Sequence, residues 1–170
     1  MRGVAVVTPR DHGWVLWVRS ALFALVLPGT ALGWVPLWLS SLDGGRVEIG
    51  PLRWLGLPIL AVGLAGLLWC IWDFGHQGRG TLAPLDPPKL VVGTGLYRLV
   101  RNPMYVSVLT ALSGEVILLH SLWLLGWAVL LGAGFHWRVI GYEERALRRQ
   151  FGASFEAYAR AVPRWRPRRP

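Results

Sequence analysis

The sequence predicts an all-α membrane protein with about four transmembrane helices, the last two a helical hairpin, and a C-terminal amphipathic cytoplasmic helix. Two observations lead to this fold class. Of the 170 residues, 54% are hydrophobic and only 16% are charged, a composition typical of membrane proteins. The formal net charge is +9, and the basic residues flank apolar segments. Binding to anionic lipid headgroups explains this pattern more simply than binding to nucleic acid.

The first two predicted spans cover residues 20–39 and 54–72. Pro28-Gly29 is expected to kink the first span. The second contains no charged residue, and as a helix it would be about 28 Å long, close to the thickness of the hydrocarbon layer. The only cysteine, Cys70, lies in this apolar run. It has no partner for an internal disulfide and is expected to be a small core residue.

The next apolar segment, residues 102–137, carries a single charge at Glu115. As one helix it would be about 54 Å long, which is too long for one crossing. Two short spans with a tight turn near His120 fit better, and the alternative is a single span at 116–137. The two short spans would be residues 103–119 and 122–141.

The distribution of basic residues favours four spans over three. There are two Lys or Arg ahead of Arg19, four in residues 73–102 and nine from residue 138 onward, against two in residues 40–53. Four spans place the three basic segments on one side. The positive-inside rule then predicts a multi-pass protein of the plasma (inner) membrane with both termini cytoplasmic.

The C-terminal tail shows the pattern of an amphipathic helix. Apolar side chains recur at helical spacing and form one stripe, so the helix would lie on the membrane or cover the cytoplasmic ends of the spans. The stripe consists of Leu147, Phe151, Phe155, Tyr158 and Val162.

A helix-start signal follows residues 73–102, which are predicted to be a loop because they are rich in glycine and proline. The Asn102 side chain is expected to cap the helix by accepting a bond from a free backbone N–H, and Pro103 suits the first helical position. Such a helix N-terminus favours an anion. Arg98 and Arg101 could pair with a carboxylate or phosphate, although headgroup anchoring, taken alone, is the favoured explanation.

Two adjacent carboxylates, Glu143 and Glu144, follow the last span. Adjacent carboxylates repel each other, so each needs a reason to be there. Glu144 can pair with Arg148 at i+4, whereas Glu143 has Leu147 at that position. The histidines are too widely separated in the sequence to suggest a metal site.

Several segments between residues 78 and 167 form one ordered set of motifs. They are Gly80-Thr-Leu-Ala-Pro-Leu-Asp-Pro-Pro-Lys, Leu90-Val-Val-Gly-Thr-Gly-Leu-Tyr-Arg-Leu-Val-Arg-Asn-Pro-Met-Tyr, Tyr142-Glu-Glu-Arg-Ala-Leu, Phe151-Gly, Tyr158 and Val162-Pro-Arg-Trp. Together they resemble the isoprenylcysteine carboxyl methyltransferase / phospholipid methyltransferase family of integral membrane enzymes. The resemblance implies one membrane domain over residues 1–170, with cofactor motifs at 78–105 and 142–165 and S-adenosylmethionine as cofactor.

By resemblance, the site residues fall into two groups, and no metal is implied. The carboxyl methyltransferases usually have His where this chain has Asn102, which weakens the case for an isoprenylcysteine substrate and leaves the cofactor assignment intact. Cofactor contacts are implied for Gly93, Gly95, Tyr97, Arg98, Arg101, Asn102, Pro103, Glu143 and Glu144. A catalytic role is implied for Arg101, Asn102 and Tyr105. Without the resemblance, the two glycines could equally well only turn the chain.

The implied function is methyl transfer from S-adenosylmethionine to a lipid-like or small hydrophobic acceptor at the membrane interface. Membrane lipids are expected as further partners, and no binding of nucleic acid or metal is expected. The alternatives are a reductase of the related sterol-reductase type, which would use a nicotinamide cofactor, and a non-catalytic membrane protein that binds a lipid or partner.

Glu115 lies inside a predicted span, where a carboxylate needs a partner or a function. It is expected to pair with Arg19 or His120, and the alternative is a contact with the acceptor.

Overall fold

The computed structural model describes residues 26, 28–42, 44–77 and 95–167. These residues are helical apart from short connections, as the all-α prediction requires. Within these ranges, the single β interaction is an isolated bridge between Arg46 and Ser121.

Six α-helices follow one another in the described chain. The first is short and is preceded by the π-helical turn Thr30–Trp34, and the second is preceded by the 3-10 turn Gly50–Leu55. The fourth continues through the π-helical turn Val139–Glu143 directly into the fifth. The helices are α1 (Val35–Ser40), α2 (Gly56–Gln77), α3 (Pro103–Leu119), α4 (Leu122–Arg138), α5 (Glu144–Phe151) and α6 (Ala153–Ala161).

Two helical stretches, Gly50–Asp73 and Leu122–Phe151, are long and apolar enough to cross a membrane, and α3 is a shorter apolar helix. Large apolar side chains on the outside of these stretches are strongly exposed, for example Leu68 at 65% and Val129 at 66%. Lipid tails solvate such side chains, whereas water does not. These features support a membrane protein, and the four crossings remain a prediction.

Small residues bring α2 and α3 into close contact. A Cβ atom on Gly63 would collide with the backbone of Ala111, and one on Gly114 would collide with the backbone of Leu60. In a membrane, apolar side chains are surrounded by apolar lipid whether or not the helices associate. Helices therefore gain packing energy mainly where small residues let their backbones approach closely. Cys70 is fully buried on α2, in agreement with its prediction as a core residue.

The turn between α3 and α4 lies at His120 and Ser121, where the sequence predicts it. His120 adopts the left-handed conformation that ends α3, and the Ser121 hydroxyl accepts a hydrogen bond from the Leu124 N–H at 3.4 Å. The preceding loop packs on this turn: Val47 N–H donates to the His120 carbonyl at 3.0 Å. The hairpin is therefore tied down at its tip.

The structure corrects two predicted boundaries. The loop predicted from residue 73 begins later, because α2 runs on to Gln77; a single glycine costs a helix only about 1 kcal/mol, so Gly75 does not end it. The tail is two helices, because Gly152 has a φ of +50°, a conformation that L-residues avoid and glycine adopts freely. The five stripe residues are nevertheless all buried or half-buried. Residues 1–25 and 78–94, which hold the beginning of the first predicted span and more than half of the predicted loop, lie outside the described residues.

Candidate active site

The start of α3 and the junction of α4 with α5 meet at one end of the helices. Pro103 occupies the first helical position of α3, as predicted, so Arg101 and Tyr105 lie on either side of the helix start. Glu143 ends a π-helical turn and Glu144 begins α5. π-Helical turns are frequent at functional sites because they alter the direction of the side chains that follow. Both carboxylates here reach residues of the α3 start.

Glu144 is surrounded by guanidinium groups. Arg101 Nη1 lies 2.9 Å from its Oε1, and Arg164 binds both oxygens, with Nε at 2.6 Å from Oε1 and Nη2 at 2.8 Å from Oε2. The Glu144 side chain is only 6% exposed. Arg148, the partner predicted at i+4, lies farther away, with Nη2 at 3.8 Å from Oε2. The partners distant in sequence therefore hold this carboxylate more closely than the local one.

These contacts control the protonation of Glu144. Burial raises the pKa of its carboxyl, but the hydrogen bonds from Arg164 and the nearby charges of Arg101 and Arg164 outweigh burial, so the pKa lies below its ordinary value. The same hydrogen bonds raise the pKa of Arg164. Glu144 is thus ionised at neutral pH, and removing one partner of such a buried pair typically costs about 3–5 kcal/mol.

Glu143 has a different environment. The Tyr105 hydroxyl donates to its Oε1 at 2.5 Å, and Arg138 Nε lies 2.7 Å from the same oxygen. The Tyr105 ring stacks on Phe135, with 4.4 Å between ring centroids, which fixes the hydroxyl in position. The Glu143 side chain is 27% exposed, and among the described residues no hydrogen bond reaches its Oε2. Glu143 is the accessible carboxylate of the pair.

The glycine-containing turn before α3 packs against the end of α2. Gly95 has a φ of +55°, and a Cβ atom there would lie 3.0 Å from Asp73 Oδ2, so glycine is required by both conformation and space. The Tyr97 carbonyl accepts a hydrogen bond from the Tyr158 hydroxyl at 2.9 Å. Burial raises the pKa of Tyr158 to about 12, so the hydroxyl keeps its proton at neutral pH. Arg98 is exposed, and Gly93 lies outside the described residues.

Asn102 occupies the predicted N-cap position, but the predicted capping bond is absent. Its side chain accepts no bond from the α3 backbone. Instead Asn102 Nδ2 donates to the Arg164 carbonyl at 3.2 Å, and the Arg101 N–H donates to the Pro163 carbonyl at 2.9 Å. The Asn102 side chain therefore binds the C-terminal segment and does not cap α3.

An open groove of about 320 Å³ is lined in part by Val106 and Trp165. These two residues directly follow Tyr105 and Arg164 of the charged cluster, which consists of Arg101, Tyr105, Arg138, Glu143, Glu144 and Arg164. Two hydroxyls in its lining are turned back to their own helix: Thr110 donates to the Val106 carbonyl at 2.8 Å, and Ser113 donates to the Leu109 carbonyl at 2.7 Å. The groove therefore presents a mainly apolar surface. It is lined by Val106, Leu109, Thr110, Ser113 and Trp165.

A comparison with protein-family profiles matches the phospholipid methyltransferase profile over residues 52–154. The chain belongs to the phospholipid methyltransferase family. The family resemblance predicted from the sequence is thereby confirmed, and it implies methyltransferase activity. A search of curated proteins finds no match.

The matched region of this phospholipid methyltransferase family member contains both halves of the site, from Gly95 to Tyr105 and the Glu143 and Glu144 pair, and it ends before Arg164. Sequence reasoning missed the roles of Arg138, Arg164 and Tyr158 as partners of these residues. Arg164 and Tyr158 were within the motifs that carry the resemblance, which was the available signal. Arg138 had none, because it was one basic residue among many near the end of a span.

Glu115 is not part of the charged cluster. Its buried Oε2 has no hydrogen-bond partner among the described residues, and neither has the buried Nδ1 of His120. No hydrogen bond or ion pair joins Glu115 to His120 in the described part of the chain, so the predicted pairing with His120 is not found, and Arg19, the other predicted partner, lies outside the described residues. In the described part of the chain, no group of three His, Cys, Asp or Glu residues is placed to hold a metal ion.

Proposed function

We propose that this protein transfers the methyl group of S-adenosylmethionine to a lipid-like or small hydrophobic acceptor at the membrane interface. The observation that carries the proposal is that the charged cluster and the apolar groove are built from the same two chain segments, the start of α3 and residues 164–165. Tyr105 of the cluster is followed by Val106 of the groove, and Arg164 is followed by Trp165. A polar cofactor and an apolar acceptor could therefore approach each other from opposite sides of the α3 start.

The residues present fit the charges of this cofactor. Its carboxylate needs donors, and Arg101 has a buried Nε with no acceptor among the described residues. The first turn of α3 also lacks a side-chain cap, which leaves backbone donors for an anion. Its ammonium needs a carboxylate, which one of the two adjacent residues Glu143 and Glu144 would supply. Gly95 and Tyr97 would form the adjoining wall.

Methyl transfer requires alignment more than acid–base chemistry. The cofactor, when bound, supplies an electrophilic methyl group on a sulfonium. The residues of this chain would bind and orient the reactants and exclude water. Arg101 and Asn102 are held by the C-terminal segment, and Tyr105 is held by Phe135 and Glu143, so the site is preorganised.

The groove supports a lipid-like acceptor. The lining residues Val106 and Ser113 are seven positions apart on α3, which corresponds to about 10 Å along the helix. That length accommodates part of an acyl or prenyl chain. Because both hydroxyls of the groove are already bonded to their own helix, an apolar chain would leave no polar group unpaired there.

The membrane arrangement that fits this function is the predicted one. Spans at 20–39, 54–72, 103–119 and 122–141, with both termini cytoplasmic, would put the start of α3 and the end of α4 at the cytoplasmic surface. Cofactor would then enter from the cytoplasm and acceptor from the lipid.

The proposal is tested by incubating the purified protein in vesicles of membrane lipid with methyl-labelled S-adenosylmethionine and following the label into the lipid fraction. We expect transfer by the wild type and its loss in Arg101→Gln and Glu143→Gln. Glu48→Gln is the matched control, because Glu48 is exposed in the loop at the far end of the hairpin. Equal labelling with all four proteins would overturn the assignment of the site, and no labelling above a protein-free vesicle blank would overturn this acceptor class.

A further inference from the structure

The C-terminal segment of residues 163–165, which we call the strap, crosses the start of α3. The Pro163 and Arg164 carbonyls accept hydrogen bonds from Arg101 and Asn102. The Arg164 side chain binds Glu144 through two nitrogens, and Trp165 Nε1 donates to His136 Nδ1 at 3.2 Å. The strap thus connects both halves of the candidate site.

Glu144 has little capacity left for another cation. Its two oxygens accept from Arg101 and Arg164, with Arg148 nearby, and its side chain is almost completely buried. A carboxylate whose oxygens are occupied inside the protein would have to lose an existing pair before it could bind a ligand.

Glu143 is better placed to receive a ligand. Only its Oε1 is engaged, by Tyr105 and Arg138, and its side chain is more than four times as exposed as that of Glu144. An oxygen without a described partner, next to an ordered tyrosine hydroxyl, can accept from a cationic group without breaking a bond inside the protein.

We propose that the two adjacent glutamates have different roles: Glu144 is a positioning residue that fastens the strap over the start of α3 and holds Arg101, and Glu143 takes the cationic group of the cofactor. The identity of the ligand rests on the proposed function, whereas the division of roles between the two glutamates rests on the strap contacts. Arg164 is then part of the site although it lies outside the region matched to the family.

The test combines two measurements on the purified full-length protein. Hydrogen exchange at the Arg101 backbone amide reports whether the strap is in place, because that N–H donates to Pro163. Equilibrium binding of S-adenosylmethionine reports the affinity of the candidate site for the cofactor. The variants are Glu143→Gln, Glu144→Gln and Arg164→Gln, and Arg166→Gln is the matched control, since Arg166 is exposed and has no ion pair among the described residues.

We expect Glu144→Gln and Arg164→Gln to raise the exchange rate of the Arg101 amide by about tenfold or more. Their effects on cofactor affinity should not add in the double variant, because both changes release the same contact. Glu143→Gln should weaken cofactor binding by about 30-fold or more, as expected for a lost charged contact, and should leave exchange unchanged. Arg166→Gln should change neither quantity.

The inference is overturned if Glu144→Gln weakens cofactor binding as much as Glu143→Gln while exchange at Arg101 stays at the wild-type rate. Wild-type exchange in Arg164→Gln, which is a partly exposed position and should fold, would overturn it as well. If the wild type does not bind S-adenosylmethionine at all, the proposed function fails, and the exchange measurements still decide whether Glu144 fastens the strap.

Discussion

The Tyr105 hydroxyl donates a hydrogen bond of 2.5 Å to Glu143, although 38 positions separate the two residues in the sequence. This bond joins the first turn of α3 to the π-helical turn that follows α4. It holds the Tyr105 hydroxyl against a partly exposed carboxylate, one residue before the groove-lining Val106.

Removal of the Tyr105 hydroxyl should impair activity without unfolding the protein. In Tyr105→Phe the ring still stacks on Phe135, while Glu143 loses a hydrogen bond that, being made to a charged group, is worth about 1.5–3 kcal/mol. We expect methyl transfer to fall by about tenfold or more while the protein stays folded, with an unfolding temperature lower by about 3–12 °C. Tyr142→Phe is the control, because Tyr142 is exposed. Equal activity of the two variants would show that the bond has no role in the reaction.

The stability of the protein should fall in acid through Glu144. Burial raises the pKa of this carboxyl, and the Arg164 and Arg101 contacts lower it further than burial raises it. A carboxyl with a lowered folded-state pKa stabilises the fold above its unfolded pKa of about 4.3, and this contribution is lost as the pH falls through the folded-state value. Between about pH 7 and pH 3, the free energy of unfolding should therefore drop more in the wild type than in Glu144→Gln.

The measurement for this prediction is denaturant unfolding in detergent at several pH values. Glu48→Gln should follow the wild type, because Glu48 is exposed and makes no described ion pair. Parallel curves for the wild type and Glu144→Gln would mean that the Glu144 ion pairs do not stabilise the folded protein.

The close contact of α2 and α3 should not tolerate a side chain. A methyl group on Gly63 would collide with the Ala111 backbone, so Gly63→Ala should destabilise the protein by about 1–3 kcal/mol. On the α4 helix, Gly134 has open space around its Cβ position. Gly134→Ala should be neutral or stabilise by up to about 1 kcal/mol. Thermal unfolding measures both, and a Gly63→Ala protein as stable as Gly134→Ala would contradict this helix contact.

The predicted topology can be tested with reporter fusions. Fusions after Leu90 and after Pro170 should both report a cytoplasmic location, and a fusion after Arg46 should not, because the basic segments then share the cytoplasmic side. Opposite locations for Leu90 and Pro170 would remove the helical hairpin as a pair of membrane crossings.

Local chemistry predicted the elements that frame the site. The start of α3 at Pro103 and the turn at His120 follow from residue types that act over one helical turn. Residue types that act over one helical turn do not predict interactions between distant segments. The sequence favours Arg148 as the partner of Glu144 and a capping role for Asn102, yet Arg164, which is 20 positions from Glu144 and 62 from Asn102, binds both. Among many arginines, only the folded chain shows which one is close.

The central claim is that this site binds S-adenosylmethionine. The most direct measurement is equilibrium binding of radiolabelled S-adenosylmethionine and of NADPH to the purified protein in detergent. We predict saturable binding of S-adenosylmethionine that is lost or strongly weakened in Glu143→Gln and retained in Glu48→Gln, and no saturable binding of NADPH. Saturable binding of NADPH without binding of S-adenosylmethionine would contradict the account and favour the reductase alternative.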